Sequence, residues 1–347
     1  MRGTLFALVL VLWASAAGAM SVERVTSPGG IEAWLVEDHS VPVVSIRFAF
    51  PGGAALDPVG KGGLASMAAA LLDEGAGPYD TAAFKAQLDD HAIELRFDAG
   101  RDEIRGGLRT LKRNLAEATD LLRYALTAPR FEPSAIDRVR GEILASLSRQ
   151  AQNPRALSHL LWMRDAFEDH PYAANVNGTA QGVGAITRED LSGFVAQRLR
   201  RTGVMVGAVG DVTRDELAAL LDKVFSGLSA DTAAVFVPET KPAENGELLI
   251  TRRAVPQSAV TFGQVGPKRD DPDWYAARIV NDIIGGSGFR GRLMKEIREK
   301  RGLAYGVSTE LVSFRHAGMI LGSVATENSR VAQSIALIRD EWRRMRD

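Results

Sequence analysis

The chain runs through the same order of segments twice, and this repetition constrains its fold more than any single motif. β-rich runs at 31–36 (IEAWLV) and 42–50 (PVVSIRFAF) are joined by a turn, EDHS, which predicts a hairpin. A Gly/Pro loop at 51–63 and helical patterns at 64–74 and 81–91 follow, with Gly75 as a helix stop and Asp80 as an N-cap. A second strand pair within 92–109, helices at 111–127, 134–151, 155–168 and 188–199, a buried strand at 203–212 and a helix at 214–227 complete the first round. The stretch VPETKPAENGE, 237–247, lacks apolar periodicity and reads as a linker. Strands at 248–253 and 258–264, a helix at 272–285, a second helix from GSGFRGRLMKEIREKRG, strands from Leu303 and a last helix from about Asn328 then repeat the order.

Two rounds of strands then helices predict an α+β duplication: two homologous domains, each a mostly antiparallel sheet with helices packed on one face. The expected division is 1–19 leader, 20–236 first domain, 237–247 linker and 248–347 second domain. The second round is shorter and stops in mid-helix at DEWRRMRD, so the second domain is expected to be incomplete.

The leader is expected from Arg2, the apolar run LFALVLVLW at 5–13 and the small residues of SAAGAM at 15–20, with cleavage near Ala19. The run is shorter than the ~20 residues that span a bilayer. Export of a chain with no cysteine points to a periplasmic protein stabilised by core size rather than by disulfides. Forty-two basic and 43 acidic residues leave a net charge of −1, which offers no nucleic-acid footprint.

Chemistry-bearing motifs are few. No two of the five histidines, His39, His91, His159, His170 and His316, stand at i,i+4 on an expected helix, so no helical zinc motif is present. His39 and His170 read as turn or capping residues. Neither a G-x-S-x-G elbow nor a cysteine offers a nucleophile, and GGSG at 285–288 lacks the residues of a phosphate loop. Arg298 and Tyr305 are the remaining pair, seven positions apart across the turn at Gly302 in IREKRGLAYGV. Residue physics alone reads Arg298 as a cation at a helix C-terminus and Tyr305 as half-buried packing.

Five stretches in order, SVPVVSIRFAFPGGAALDP, GKGGLASMAAALLDEGA, HPYAANVNGT, AVGDV and FRGRLMKEIREKRGLAYGVST, resemble the pitrilysin/insulinase-type zinc metallopeptidases, the inverzincins, and particularly their short bacterial and mitochondrial-processing branch. The resemblance implies a half-clamshell of two homologous domains. The family's metal helix reads G-L-A-H-x-x-E-H. Here Gly63, Leu64 and Ala65 are followed by Ser66, Met67, Ala68, Ala69 and Ala70, so both histidines and the glutamate are gone. Glu142 in VRGEIL is the best match to the third ligand, and one carboxylate does not hold catalytic zinc. The family's second half contributes an Arg and a Tyr to the catalytic chamber, and Arg298 and Tyr305 match them in type and spacing. The resemblance therefore implies a zinc-free subunit that binds no cofactor itself. It would pair in a heterodimer with an HxxEH homologue that supplies zinc, and lend Arg298 and Tyr305 to peptide cleavage. A catalytically inactive structural or peptide-binding homologue is the alternative.

Overall fold

The computed structural model describes residues 21–231, 236–244 and 246–347. The expected leader, 1–19, lies outside them. Six strands form the first sheet: β1 (Glu23–Thr26), β2 (Glu32–Glu37), β3 (Val43–Pro51), β4 (Glu94–Ala99), β5 (Glu103–Leu111) and β6 (Met205–Gly210), in the order β1-β2-β6-β3-β5-β4. All neighbours are antiparallel except β2 and β6. The expected hairpin of β2 with β3 does not form. β6 lies between them, pairing Leu35 with Ala208 on one side and Ile46 with Ala208 on the other.

The helices of this unit are α1 (Leu64–Leu71), α2 (Thr81–Asp90), α3 (Leu115–Thr127), α4 (Pro133–Gln152), α5 (Pro154–Phe167), α6 (Ala180–Gly184), α7 (Arg188–Arg198) and α8 (Arg214–Phe225). Their starts follow local chemistry. Asp80 accepts a hydrogen bond from the Ala83 N–H, and Thr187 and Thr213 close capping boxes with Asp190 and Glu216. One face of the sheet supplies Ile46, Phe48, Phe50, Ile104 and Leu108 to a core completed by Leu71, Leu122 and Phe225 from the helices. Each such side chain contributes ~1.5–3 kcal/mol by leaving water. The other face is open. On β6, expected to be wholly buried, Met205 and Val209 are about half exposed, as is Trp34 on β2.

The second sheet, in the order β7-β9-β8, is antiparallel: β7 (Gln257–Val265), β8 (Ala304–Ser313) and β9 (Gly318–Glu327). The expected strand at 248–253 is absent: these residues are irregular, with Leu248, Leu249 and Ile250 exposed. α9 (Trp274–Asn281) passes into a π-helical turn, Asp282–Gly286, and a second π-helical segment, Met294–Glu299, precedes Gly302. α10 (Val331–Arg346) packs Ile338 into the small core of this unit. Among the described residues no helix is long and apolar enough to cross a membrane.

The two units share a third core. α5 belongs to the first unit by sequence yet lies on β7, with Ser158 Oγ 2.9 Å from Thr261 Oγ1. Met163, Ala166, Phe167 and Tyr172 pack with Val237, Ala317 and Met319. The linker residues are held in place too: the Thr240 N–H donates to the His316 carbonyl and the Ala243 N–H to the Ala166 carbonyl.

Candidate functional site

The helix that matches the family's metal helix is intact and chemically silent. Asp57 holds its start: Oδ2 accepts from the Gly63 N–H at 2.7 Å and Oδ1 from the Ala65 N–H at 2.9 Å. Burial pushes this carboxyl up to about 6, against those backbone bonds and the nearby Arg198. Ser66 Oγ donates to the Val176 carbonyl at 2.8 Å, Ala69 is buried and Ala70 is exposed. Glu142, on α4, pairs with Arg138 at 2.8 Å, and Arg138 also bridges to Glu74. Among the described residues no group of three His, Cys, Asp or Glu side chains is placed to hold a metal ion. The residues present do not fit zinc. A hydroxyl committed to a carbonyl, two methyl groups and an ion-paired carboxylate leave no coordination set.

The histidines serve locally. His39 Nδ1 lies 2.7 Å from Asp211 Oδ1, a contact that raises its pKa. His170 Nδ1 accepts from the Tyr172 N–H and its Nε2–H donates to the Pro238 carbonyl, so it caps the turn Pro171–Ala173.

Arg298 and Tyr305 are brought together. The π-helical segment carries Arg298 on its last turn, and the chain reverses at Gly302, whose N–H donates to the Arg298 carbonyl. The Arg298 guanidinium carbon then lies 4.8 Å from the Tyr305 ring centroid and 4.7 Å from that of Phe289. The cation lies against two aromatic rings, each contact worth about 0.5–2 kcal/mol. Tyr305 is the extra residue of a β-bulge: Ala304 pairs with Thr326 and Gly306 with Ala325, which leaves Tyr305 unpaired. The bulge resets the alternation, so Ala304 and Val307 are both buried while Tyr305 is 80% exposed.

One atom of this cluster is unmet. Arg298 Nη1 is buried and has no hydrogen-bond partner among the described residues. Glu296, two positions earlier, is bound to Lys300 and Arg301, which hold its carboxyl down at about 2. A guanidinium left with an unused donor is prepared to receive an oxygen acceptor, and an exposed phenol O–H beside it is a second donor.

GGSG both brings two backbones close and turns the chain. A Cβ at Gly285 would sit 2.8 Å from Thr309 Oγ1, so the helix approaches β8 closely there, and the following residues turn to present Phe289. Sequence reasoning did not single out Phe289. The available signal was an aromatic residue in a Gly-rich stretch with no apolar period to bury it.

The family description "Insulinase (Peptidase family M16)" matches residues 33–180, and "Peptidase M16 inactive domain" matches 185–347, starting within the first sheet's unit ahead of β6. A non-peptidase homolog, YmxG, from Helicobacter pylori is 27% identical over 87% of this chain and 70% of its own. An uncharacterized zinc protease of Streptomyces coelicolor is 26% identical over 93% of this chain and 72% of its own. The crystal structure of a peptidase M16 inactive domain from Pseudomonas fluorescens superposes with a TM-score of 0.86 at 27% identity, covering 94% of this chain and 79% of that one. With matches in tandem over nearly its whole length and the same architecture, this chain belongs to the M16 (insulinase/pitrilysin) peptidase family, as a homologue lacking the family's metal-binding residues.

Proposed function

We propose that this chain is the zinc-free half of a two-chain peptidase and works with a homologue carrying the H-x-x-E-H helix. One contrast supports the reading: Ser66, Ala69 and Ala70 offer no ligand, whereas Arg298 and Tyr305 stand together with an unmet donor. In the pair, zinc and the general-base glutamate belong to the partner, where they activate the attacking water. Tyr305 donates its O–H toward the oxygen of the scissile carbonyl, where charge develops. Arg298, held against Phe289 and Tyr305, holds a substrate carbonyl or carboxylate through its fork of N–H groups. Two half-clamshells would close a chamber that admits short or unfolded peptides by size. Export by the 1–19 leader would put the complex in the periplasm.

A purely structural or peptide-binding role is the second reading. It is favoured by the two aromatic rings that already lie against Arg298 and by the name of the Helicobacter relative as a non-peptidase homolog. The two readings separate in a quenched-peptide assay of this chain alone, of an H-x-x-E-H homologue alone, and of the mixture. The half-enzyme reading expects cleavage in the mixture only, abolished by chelator and weakened by Arg298→Ala and by Tyr305→Phe. Cleavage by the zinc subunit that is equal with and without this chain would leave the structural role.

A further inference from the structure

At the joint between the two units lies a cavity of about 210 Å³, smaller than the ~300–1,000 Å³ that drug-sized ligands occupy. Its charged lining is lopsided. Arg101, Arg198 and Arg200 come from the first unit and Arg315 from the second, against Asp102 and Asp231. None of the four guanidiniums forms an ion pair among the described residues, although ion pairs are abundant elsewhere in the chain. Arg101 donates to the Tyr172 and Ala174 carbonyls, and Arg200 to the Gln197 and Asp231 carbonyls. The side chains of Arg198 and Arg315 make no hydrogen bond among the described residues.

The two carboxylates are already committed. Asp102 accepts from the Tyr172 O–H at 2.5 Å and from the Arg315 backbone N–H at 2.9 Å. Asp231 Oδ2 accepts from Ser229 Oγ at 3.1 Å. Burial pushes the Arg101 guanidinium below its ordinary value, and burial together with the neighbouring Arg200 does the same to Arg198. Four guanidiniums in one concavity, offset by only two carboxylates, leave a cationic excess that raises the free energy of the empty site, and an anion entering it reduces that cost.

We propose that this cavity binds a small oxyanion, a carboxylate or phosphate group, gripped between Arg198 of the first unit and Arg315 of the second. Guanidinium forks match both oxyanions, and two of them approaching from different units make the ligand a bridge across the joint. The site is separate from the Arg298–Tyr305 cluster. Arg315 follows the far end of β8, a ten-residue strand that spans roughly 33 Å at ~3.3 Å per residue. It is also independent of the peptidase reading, since a scaffold protein would carry it equally.

The test is calorimetric titration of the full chain in a chloride buffer with inorganic phosphate, with an Nα-acetyl dipeptide acid, and with the same dipeptide as its amide. The expected result is binding of phosphate, the acid or both, with no heat from the amide. The tighter of the two anions identifies the source. Arg198→Gln and Arg315→Gln should each weaken binding by about tenfold or more, and Arg113→Gln, an exposed arginine elsewhere, should not. Arg315→Gln keeps the fold testable, because the bond to Asp102 is made by the backbone N–H and survives the substitution. Absence of heat from both anions, or equal weakening by Arg113→Gln, would overturn the site.

Discussion

Tyr305 owes its exposure to one unpaired backbone position, and the type and spacing of Arg298 and Tyr305 were legible in the sequence while that bulge was not. In IREKRGLAYGV the alternation from Leu303 onward gives no sign that Ala304 and Val307 face the same side. In the proposed complex Tyr305→Phe should lower kcat by about 10²-fold at similar KM, since the phenol donor acts where charge develops. Arg298→Ala should mainly raise KM, and steady-state kinetics of the mixture separate the two. Asp57 gives a prediction that needs no partner. Its carboxyl stands at about 6 against an ordinary 3.8, so the folded state holds the proton more tightly than the unfolded chain does. The stabilisation from that proton is full below pH ~4, declines as pH rises through ~6 and is flat above. The stability of the parent relative to Asp57→Asn should therefore fall between pH 4 and 7 in urea titrations. A difference independent of pH would mean that the carboxyl titrates normally.

Among elements, local signals held where local chemistry sets the structure, as at the Asp80 cap and the β4–β5 pair. They failed where a distant segment decides. The β2–β3 hairpin looked natural from EDHS, but β6, far along the chain, takes the place between them, and strand alternation does not name its partner. Leu248, Leu249 and Ile250 have strand-forming residues and no ladder to join, so propensity alone left them irregular. The helix expected from residue 111 begins at Leu115 because Thr110 and Leu111 finish β5. The silent metal helix is still anchored tightly. Gly178 has φ of +74° and a Cβ there would lie 1.9 Å from the Gly62 carbonyl oxygen, immediately before α1. Gly178→Ala should cost at least about 2 kcal/mol, from overpacking against backbone together with left-handed strain. Chemical denaturation measures it, and a neutral result would show that the 175–178 loop can move away from α1.

For the molecule as a whole, the question is what couples two units that each have a core. The duplication was legible in the order of segments, whereas the joint was not, because it brings together α5, a tyrosine from HPYAANVNGT, the linker and a hairpin tip in the other unit. Tyr172 is fully buried. Its O–H donates to Asp102, its oxygen accepts the His316 N–H at 3.1 Å, and its ring meets Phe314 at 5.0 Å. Burial, and then Asp102, raise its pKa, which keeps the phenol protonated as a donor. Tyr172→Phe retains the packing and removes both bonds, leaving the Asp102 carboxylate and the His316 amide short of a partner, at a cost of about 1–3 kcal/mol. Because the bond from the His316 N–H joins the second unit to the first, and Asp102 also holds the Arg315 N–H of the second unit, the loss should be local. Hydrogen exchange should speed up at the β8–β9 hairpin tip and at Thr240 and Ala243, with α1 and β3 unchanged. Asp102→Ala should act on the same amides, and the double variant should fall short of the sum of the two, since both single changes remove the Tyr172–Asp102 bond. Faster exchange spread evenly over both sheets would instead mean that the two units open as one and that Tyr172 is a core residue rather than their joint.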